Sequence, residues 1–421
     1  MVAYRLAVTI RGIECAACAA VFTVLLPSCG ARSDLFVVAA STSADVASCP
    51  PTSPTCVARG DDACGPPRIV TAVCDSATRA WRCPDGSIPY VRAAVETMTC
   101  RPFYEPGGPI RSLGGSLVRV PTDDGRCLWI AEDVTFGTGG TICNVAFETD
   151  LAAPFGTCPT RATFVGGSAR TIVAVDSGDE PTLLVSITGA YRLAGATRVT
   201  YRLFRADGGP AFGLTELGTG LGRWDAATQR IVVPGPRSLA FGPDLDLGDA
   251  SWASTDRAYV WGCPGPPDFL TERCVVGRID AAGAMELFAG AGRWIASRRG
   301  RDAATVFDAG PWVSSVVPNG AAGRLLHLFA VGFGTDLQIH TASAPEGPWS
   351  PASRLAACDV PRDDSHAYCA GPVVHRELTD PTRAGDLPVT YGVGSTAPDI
   401  AARAAANPGA YWPRLQWLTA P

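Results

Sequence analysis

Lysine is absent: all 35 basic residues of this 421-residue chain are arginine. GC-rich codon usage accounts for that more simply than a guanidinium-specific function. Charge as a whole is scarce, at 18 % of residues, and the balance is acidic, with a formal charge of −5. A mildly acidic chain without a basic stripe is not a nucleic-acid binder. Histidine occurs only at 327, 340, 366 and 375, spacings too dispersed for a zinc triad. No GxSxG elbow is present, and the GTGGT run at 137–141 lacks the Lys-Ser/Thr of a phosphate loop. Beyond residue 26 no apolar run is long enough to cross a bilayer.

Turn residues and cysteine are plentiful instead. With 46 Gly and 35 Pro, long helical bundles and coiled coils are out, while 47 % apolar content still supports a folded core. The sixteen Cys fall at loop-like spacings without paired CxxC ribbons and accompanying His. That distribution predicts disulfides in an oxidising compartment, not structural zinc. The N-terminus agrees. Arg5 and Arg11 precede an apolar run at 15–26, and Leu26-Pro27-Ser28-Cys29 follows. This resembles a bacterial lipobox, which implies a signal over 1–28, acylation of Cys29 and a lipid-anchored place in the cell envelope. An ordinary secretory signal cleaved nearby is the alternative, and either implies export.

Residues 29–48 are small and mostly uncharged, suiting a tether. Residues 49–104 hold six Cys and few aliphatic residues, so a small module supported by three disulfides is expected. From 110 to 421 a unit recurs five times. It begins with SLGGSLVRV, SARTIVAVD, GDASWAST, VSSVVPN and GPVVHREL. Its second strands are CLWIAEDV, TLLVSITG, AYVWGC, LLHLFAVG and LPVTYGVG. Three to four antiparallel strands per unit predict an all-β fold, a five-bladed β-propeller behind the disulfide-rich module. PRLQWLTA at the C-terminus is expected to join the first blade and close the ring. One helix is predicted over IAARAAA.

The run LQIHTASAPEGPWS at 337–350 resembles the TA-x-x-P-x-GPWS signature of five-bladed propellers. That signature belongs to furanosidase-like glycoside hydrolases and to a related bacterial family, first classed as a domain of unknown function, that includes endo-D-arabinanases. YVWGC at 259–263 with CVVGR at 274–278, and HREL at 375–378 before LPVTY, are similar to further blades of that family. The resemblance implies a carbohydrate partner and catalysis by paired carboxylates. Asp133, in AEDVTFG, stands where relatives show GDTFG, which would make it catalytic. The relatives' second Asp, in a GTDLG turn, is replaced here by Gly114-Gly115-Ser116-Leu117. Asp249 could substitute from across the channel.

Strand direction predicts that Glu132, Asp133, Asp249, Asp308, Trp312, Tyr368 and Tyr391 share one face, with Asp176 and Glu377 at the other. Of these, Asp308, Trp312 and Tyr391 are candidate ligand contacts, Trp312 because an aromatic ring suits the apolar face of a sugar. Trp349 reads as a blade-packing aromatic. No cofactor is called for, although His375, near the axis, could face a channel ion. Cys263 with Cys274, Cys358 with Cys369, and Cys143 with Cys158 are candidate local bridges, leaving Cys127 as a buried free thiol. Two functional classes stay open: a glycan-binding propeller with weak or lost catalysis, and a glycoside hydrolase acting on a furanoside-type polysaccharide.

Overall fold

A computed structural model describes residues 49–421 except 59–65, 91–96, 100–109, 123–125, 137–140, 150–161, 166–171, 177–182, 210–212, 236–238, 265–271, 310–313, 320–321 and 384. The segments expected to be signal and tether, Cys29 and Trp312 therefore lie outside the described residues, as do Cys158 and the side chains of Cys143 and Asp133. Short stretches of β-branched and aromatic residues, cut by Gly, Pro and Asp, form antiparallel meanders. Each meander is one blade.

Blade one comprises Ile110–Pro121, Cys127–Phe136, Thr141–Thr149 and Ala162–Phe164. Blade two comprises Leu183–Leu193, Ala196–Gly209, Gly213–Asp225 and Arg230–Pro234, with Val173–Asp176 added outermost in parallel. Blade three runs Ala250–Ala253, Arg257–Gly262, Glu272–Asp280, Met285–Phe288 and Trp294–Ile295. Blade four runs Ser315–Asn319, Arg324–Ala330, Asp336–Ala342 and Ser353–Ala357. Blade five takes Ala367–Val374, Asp386–Ser395 and Arg414–Thr419, with Thr97–Thr99 as its fourth strand. The five inner strands touch one another in sequence, and the fifth touches the first. The ring is closed.

Two sequence expectations are corrected. SARTIVAVD supplies the outermost strand of blade two, not its first, and TLLVSITG is the inner strand. Both segments are short and β-branched, so composition does not distinguish an axial strand from a rim strand. Closure also runs the other way. Arg414–Thr419 stays in the last blade, and Thr97–Thr99 from the N-terminal region pairs with it there. Residues 97–99 thus belong to the propeller sheet although they precede residue 104. Either arrangement covers an open sheet edge, and the hydrophobic pattern is blind to which terminus does so.

Several glycines sit inside strands for a steric reason. Gly220 faces Tyr201 and Gly394 faces Tyr368 across strand pairs, and a Cβ at either would overlap the tyrosine hydroxyl. The ring lies flat over its glycine partner in both blades. Helix Ile400–Ala406 is the lone α-helix among the described residues, with Asp399 at its cap position and paired to Arg403 at 2.8 Å.

In the N-terminal module, Arg68–Thr71, Thr55–Ala58 and Ser87–Pro89 form one sheet, with bridges Cys49–Cys74 and Cys56–Cys83. Tyr90 donates to Asp380 at 2.5 Å, docking the module on blade five. The bridges Cys263–Cys274 and Cys358–Cys369 are formed as expected from their spacing. Cys127 is itself disulfide-bonded, which overturns its assignment as a free thiol. It opens its strand opposite Pro121, at the hairpin end, where a thiol can reach outside its own sheet.

His327 is one of several buried side chains with a polar atom left without a hydrogen-bond partner. It is fully buried between Phe307, Phe329 and the parallel ring of His340, and neither ring nitrogen has a hydrogen-bond partner. Burial first, then His340, holds its pKa well below the ordinary value. The unfolded chain takes up a proton near pH 6.5 that the folded chain refuses, so stability falls as pH drops below that value. His327→Leu should therefore stabilise the fold by about 1–3 kcal/mol at neutral pH, with a larger advantage at pH 5.5. Denaturant midpoints of both proteins at the two pH values check this. A variant less stable than the parent at pH 5.5 would rule it out.

Candidate functional site

In each blade the inner strand runs one way through the ring and the second strand returns. Starts of inner strands and ends of second strands therefore share a face. Asp249 immediately precedes Ala250–Ala253, and Asp133 lies in the latter half of Cys127–Phe136, so strand direction puts both at that face.

Asp249 is one corner of a buried charge cluster built across blades two and three. Arg202, from the second strand of blade two, directs Nη2 at Asp249 Oδ1 (2.6 Å) and at Asp246 Oδ2 (2.5 Å). Glu216, on the neighbouring third strand, lies 3.7 Å from Nη1. The other oxygen of Asp249 accepts the Cys263 backbone N–H at 3.0 Å, and Cys263 is held by its bridge to Cys274. Asp246 adopts a left-handed φ of 42°, which Asp tolerates better than most side chains. Gly262 lies directly beneath it, and a Cβ there would run into the Asp246 carbonyl. Turn, disulfide and glycine together aim two carboxylates at one guanidinium.

Three carboxylates around one cation cannot all ionise cheaply. Burial pushes Asp246 well above the ordinary carboxylate range, Arg202 pulling the other way and Glu216 and Asp249 adding to the rise. Asp249 is also raised, again by burial, with Arg202 and the Cys263 N–H opposing. The cluster therefore favours the neutral form of Asp246. Asp249 itself is 1 % exposed with both oxygens engaged. It organises the turn and does not reach a ligand, contrary to its candidacy as a catalytic substitute. Glu216 is the member that reaches the surface, with 26 % of its side chain exposed.

A second buried network occupies the other end of the ring, where inner strands finish. Arg119 Nη1 meets Glu377 Oε2 at 2.7 Å, and His375 Nδ1 donates to Glu377 Oε1 at 2.8 Å. Thr390 Oγ1 lies 2.6 Å from His375 Nε2, and the imidazole stacks on Trp129 with centroids 4.8 Å apart. Burial resists ionisation of Glu377, but Arg119 and His375 outweigh it and hold the carboxyl below its ordinary range. Both nitrogens of His375 are spoken for, so its candidacy as an ion or ligand contact is corrected.

Two further candidates change role. Tyr391 is fully buried; its hydroxyl accepts the Asp359 N–H at 2.8 Å and donates to Gln416 at 3.2 Å. Burial raises it to about 12. It ties blade five together and faces no ligand. Asp308 is exposed, but Phe307–Ala309 pairs with the third strand of blade three, so Asp308 extends that blade and does not line the mouth of blade four. Its backbone carbonyl faces His340 Nε2 at 3.1 Å. Trp349 sits edge-on to Trp261 and Phe307 between blades three and four, and donates to Pro345 at 3.2 Å.

With this geometry in view, comparison with solved structures is informative about fold. The chain is similar to a presumed hydrolase from Bacteroides ovatus, with 12 % identity over 73 % of this chain and 86 % of that one and a TM-score of 0.50. It also aligns with an exo-β-1,3-galactanase from Phanerochaete chrysosporium at 11 % identity, covering 77 % of this chain and 64 % of that one, with a TM-score of 0.44. A family-32 β-fructofuranosidase from Bombyx mori aligns at 11 % identity over 76 % and 62 % of the two chains, with a TM-score of 0.43. The likeness is one of fold. The chain spans less than two thirds of the length of the last two proteins. No protein-family profile matches it, and no characterised protein matches it in sequence.

Sequence reasoning missed Arg202, Glu216 and Asp246. The available signals were slight. Val199, Tyr201 and Leu203 alternate as one apolar face of a strand, which leaves Arg202 on the other face with Thr200 and Phe204. The turn PDLDLGDA carries three Asp where one would suffice for a turn.

Proposed function

We propose that this chain is an exported, lipid-anchored propeller that binds glycans at the face where strand direction alone puts Asp133 and Trp312, and cleaves them weakly or not at all. The observation that carries the reading is the neutralisation of Asp246 and Asp249 by Arg202 in a buried cluster. Hydrolysis of a glycoside needs two carboxyl groups about 5 Å apart for retention or about 6.5–9.5 Å apart for inversion, both touching the sugar. Asp246 and Asp249 are both turned onto Arg202 in the interior, and Asp249 is sealed from solvent. The motif resemblance over 337–350 and the five-bladed ring support carbohydrate as the ligand class.

One observation favours a second reading, a glycoside hydrolase acting on a furanoside-type polysaccharide. Glu216 is the partly exposed carboxyl group of this cluster, 3.7 Å from Arg202, and so the one member that a substrate could reach.

Incubation of the purified chain with arabinan and arabinogalactan separates the two. Reducing ends and retention on the immobilised glycans are followed together. Retention without turnover, weakened at least tenfold by Trp312→Ala, is the expected result. Turnover abolished by Glu216→Gln or Asp133→Asn would establish the hydrolase. Neither retention nor turnover on any glycan would end the carbohydrate reading.

A further inference from the structure

Among the described side chains, Phe333 is the only aromatic ring that is exposed, with 40 % of its surface in solvent. The chain around it is built to hold it there. The turn at 331–334 joins the second strand of blade four, Arg324–Ala330, to the third, Asp336–Ala342. The Gly334 N–H closes this turn on the Val331 carbonyl at 2.9 Å, and Gly332 takes a left-handed φ of 49° that glycine adopts without strain. Two more backbone bonds fasten the far side. The Cys369 N–H, from the inner strand of blade five, donates to the Gly334 carbonyl at 3.0 Å. The Cys358 N–H donates to the Thr335 carbonyl at 2.8 Å, and Cys358 is bridged to Cys369. The Phe333 ring meets Tyr368 with centroids 5.1 Å apart and planes at 74°, and Tyr368 is itself backed by Gly394. A lone exposed apolar side chain is ordinary. An exposed ring fixed by a closed turn, a disulfide-tied pair of backbone bonds and an aromatic neighbour is a prepared surface.

Polar groups border it. His366 and Thr396 continue the ladder of blade five beyond the Ala367–Ser395 pair. The Thr396 N–H donates to the His366 carbonyl at 3.1 Å, Thr396 Oγ1 lies 3.5 Å from His366 Nδ1, and both residues are exposed. Side chains alternate along a strand, so His366 stands on the same side as Tyr368, against which Phe333 packs. The patch lies where an inner strand starts and a second strand ends, so strand direction puts it at the face of Asp249. We propose that Phe333 is a sugar-stacking platform, with His366 and Thr396 binding hydroxyl groups at its edge. An aromatic plane matches the apolar C–H face of a sugar ring, and the imidazole and hydroxyl supply donors and acceptors beside it. The turn is already fixed, so little freedom is lost on binding. This site rests on the glycan reading and names where on that face a sugar ring lies.

The test passes the full purified chain, disulfides intact, over immobilised arabinan and arabinogalactan. Phe333→Ala and Phe333→Leu should each weaken retention roughly fivefold or more, while Phe333→Trp keeps it, because the sugar meets a plane and not apolar bulk. Thr396→Val, which keeps the shape and drops the hydroxyl, should cost roughly threefold. Since Phe333 is exposed, its variants should melt within about 2 °C of the parent. In the parent, nuclear Overhauser contacts from arabino-oligosaccharide C–H protons to the Phe333 ring give a readout that needs no variant. Retention unchanged in Phe333→Ala, or lost equally in Phe333→Trp, would overturn the platform and leave the glycan reading standing. Absence of retention by the parent would overturn both. A dimer seen by sedimentation and abolished by Phe333→Ala, with retention unaltered, would assign the ring to a second copy of this chain and overturn the proposal.

Discussion

Arg202→Met should destabilise the propeller by roughly 3–5 kcal/mol, the range for removing one partner from a buried ion pair. Arg202 is the only cation facing Asp246, Asp249 and Glu216 among the described residues, and Asp246 and Asp249 are both buried. Methionine fills much of the same volume but leaves these carboxyl groups without compensation. They can recover only by taking up protons, so the penalty should shrink as pH falls toward 5. The cost belongs to the orphaned charges and not to the missing side chain. Adding Asp246→Asn and Asp249→Asn to Arg202→Met should therefore recover at least half of the loss, a non-additivity expected for groups that touch. Urea denaturation with the disulfides intact, at pH 7.5 and 5, measures both effects. A loss below about 1 kcal/mol for the single variant would show that the cluster contributes little to holding blades two and three together.

Glu377→Gln should cost a similar roughly 3–5 kcal/mol at neutral pH, by the same mechanism with the sign of charge reversed. Glutamine keeps the shape and can still accept from His375, but Arg119 at 2.7 Å no longer meets a carboxylate there. The pH dependence distinguishes this from simple misfit. Glu377 has a folded-state pKa below its unfolded value, so its contribution is complete above about pH 4.3 and disappears as pH falls through the folded pKa. The gap between parent and variant should thus be constant from pH 8 to 5 and close below pH 4. His327 begins to erode stability from about pH 6.5, but it does so equally in both proteins and cancels from the difference. A gap that persisted unchanged at pH 3 would place the loss in packing and not in charge.

These two clusters also mark where the sequence could and could not be read. The recurrence of a small-residue strand followed by an aromatic or aliphatic one is a local signal, and it located both leading strands of blades one, three, four and five. Blade two failed because its rim strand Val173–Asp176 and its inner strand have the same composition, and only their neighbours differ. Short-range cysteine pairs such as Cys263–Cys274 were legible because ten intervening residues between strands make a closed loop. Cys127 was not, because its place at the start of an apolar strand reads as a small packing residue.

The candidate site divides along the same line. Strand direction alone put Asp249 at one face and Glu377 at the other, since each residue's distance from its strand end is a property of the chain. It also made Asp249 look available for chemistry. Only the folded ring brought Arg202, separated by 47 residues, to within 2.6 Å of it, and so turned a candidate acid into half of a buried ion pair. Tyr391 and His375 were misjudged for the same reason. Polar side chains near an axis look like ligand contacts until the partners that satisfy them, Asp359 and Gln416 for one and Glu377 and Thr390 for the other, are in place. Periodicity and turn chemistry are carried by neighbours along the chain, so the sequence by itself determined the all-β class, the five-bladed ring and the bridges Cys263–Cys274 and Cys358–Cys369. Burial and charge pairing depend on contacts between blades, so the tertiary structure alone decided which acids reach the surface and which are held by an arginine in the interior.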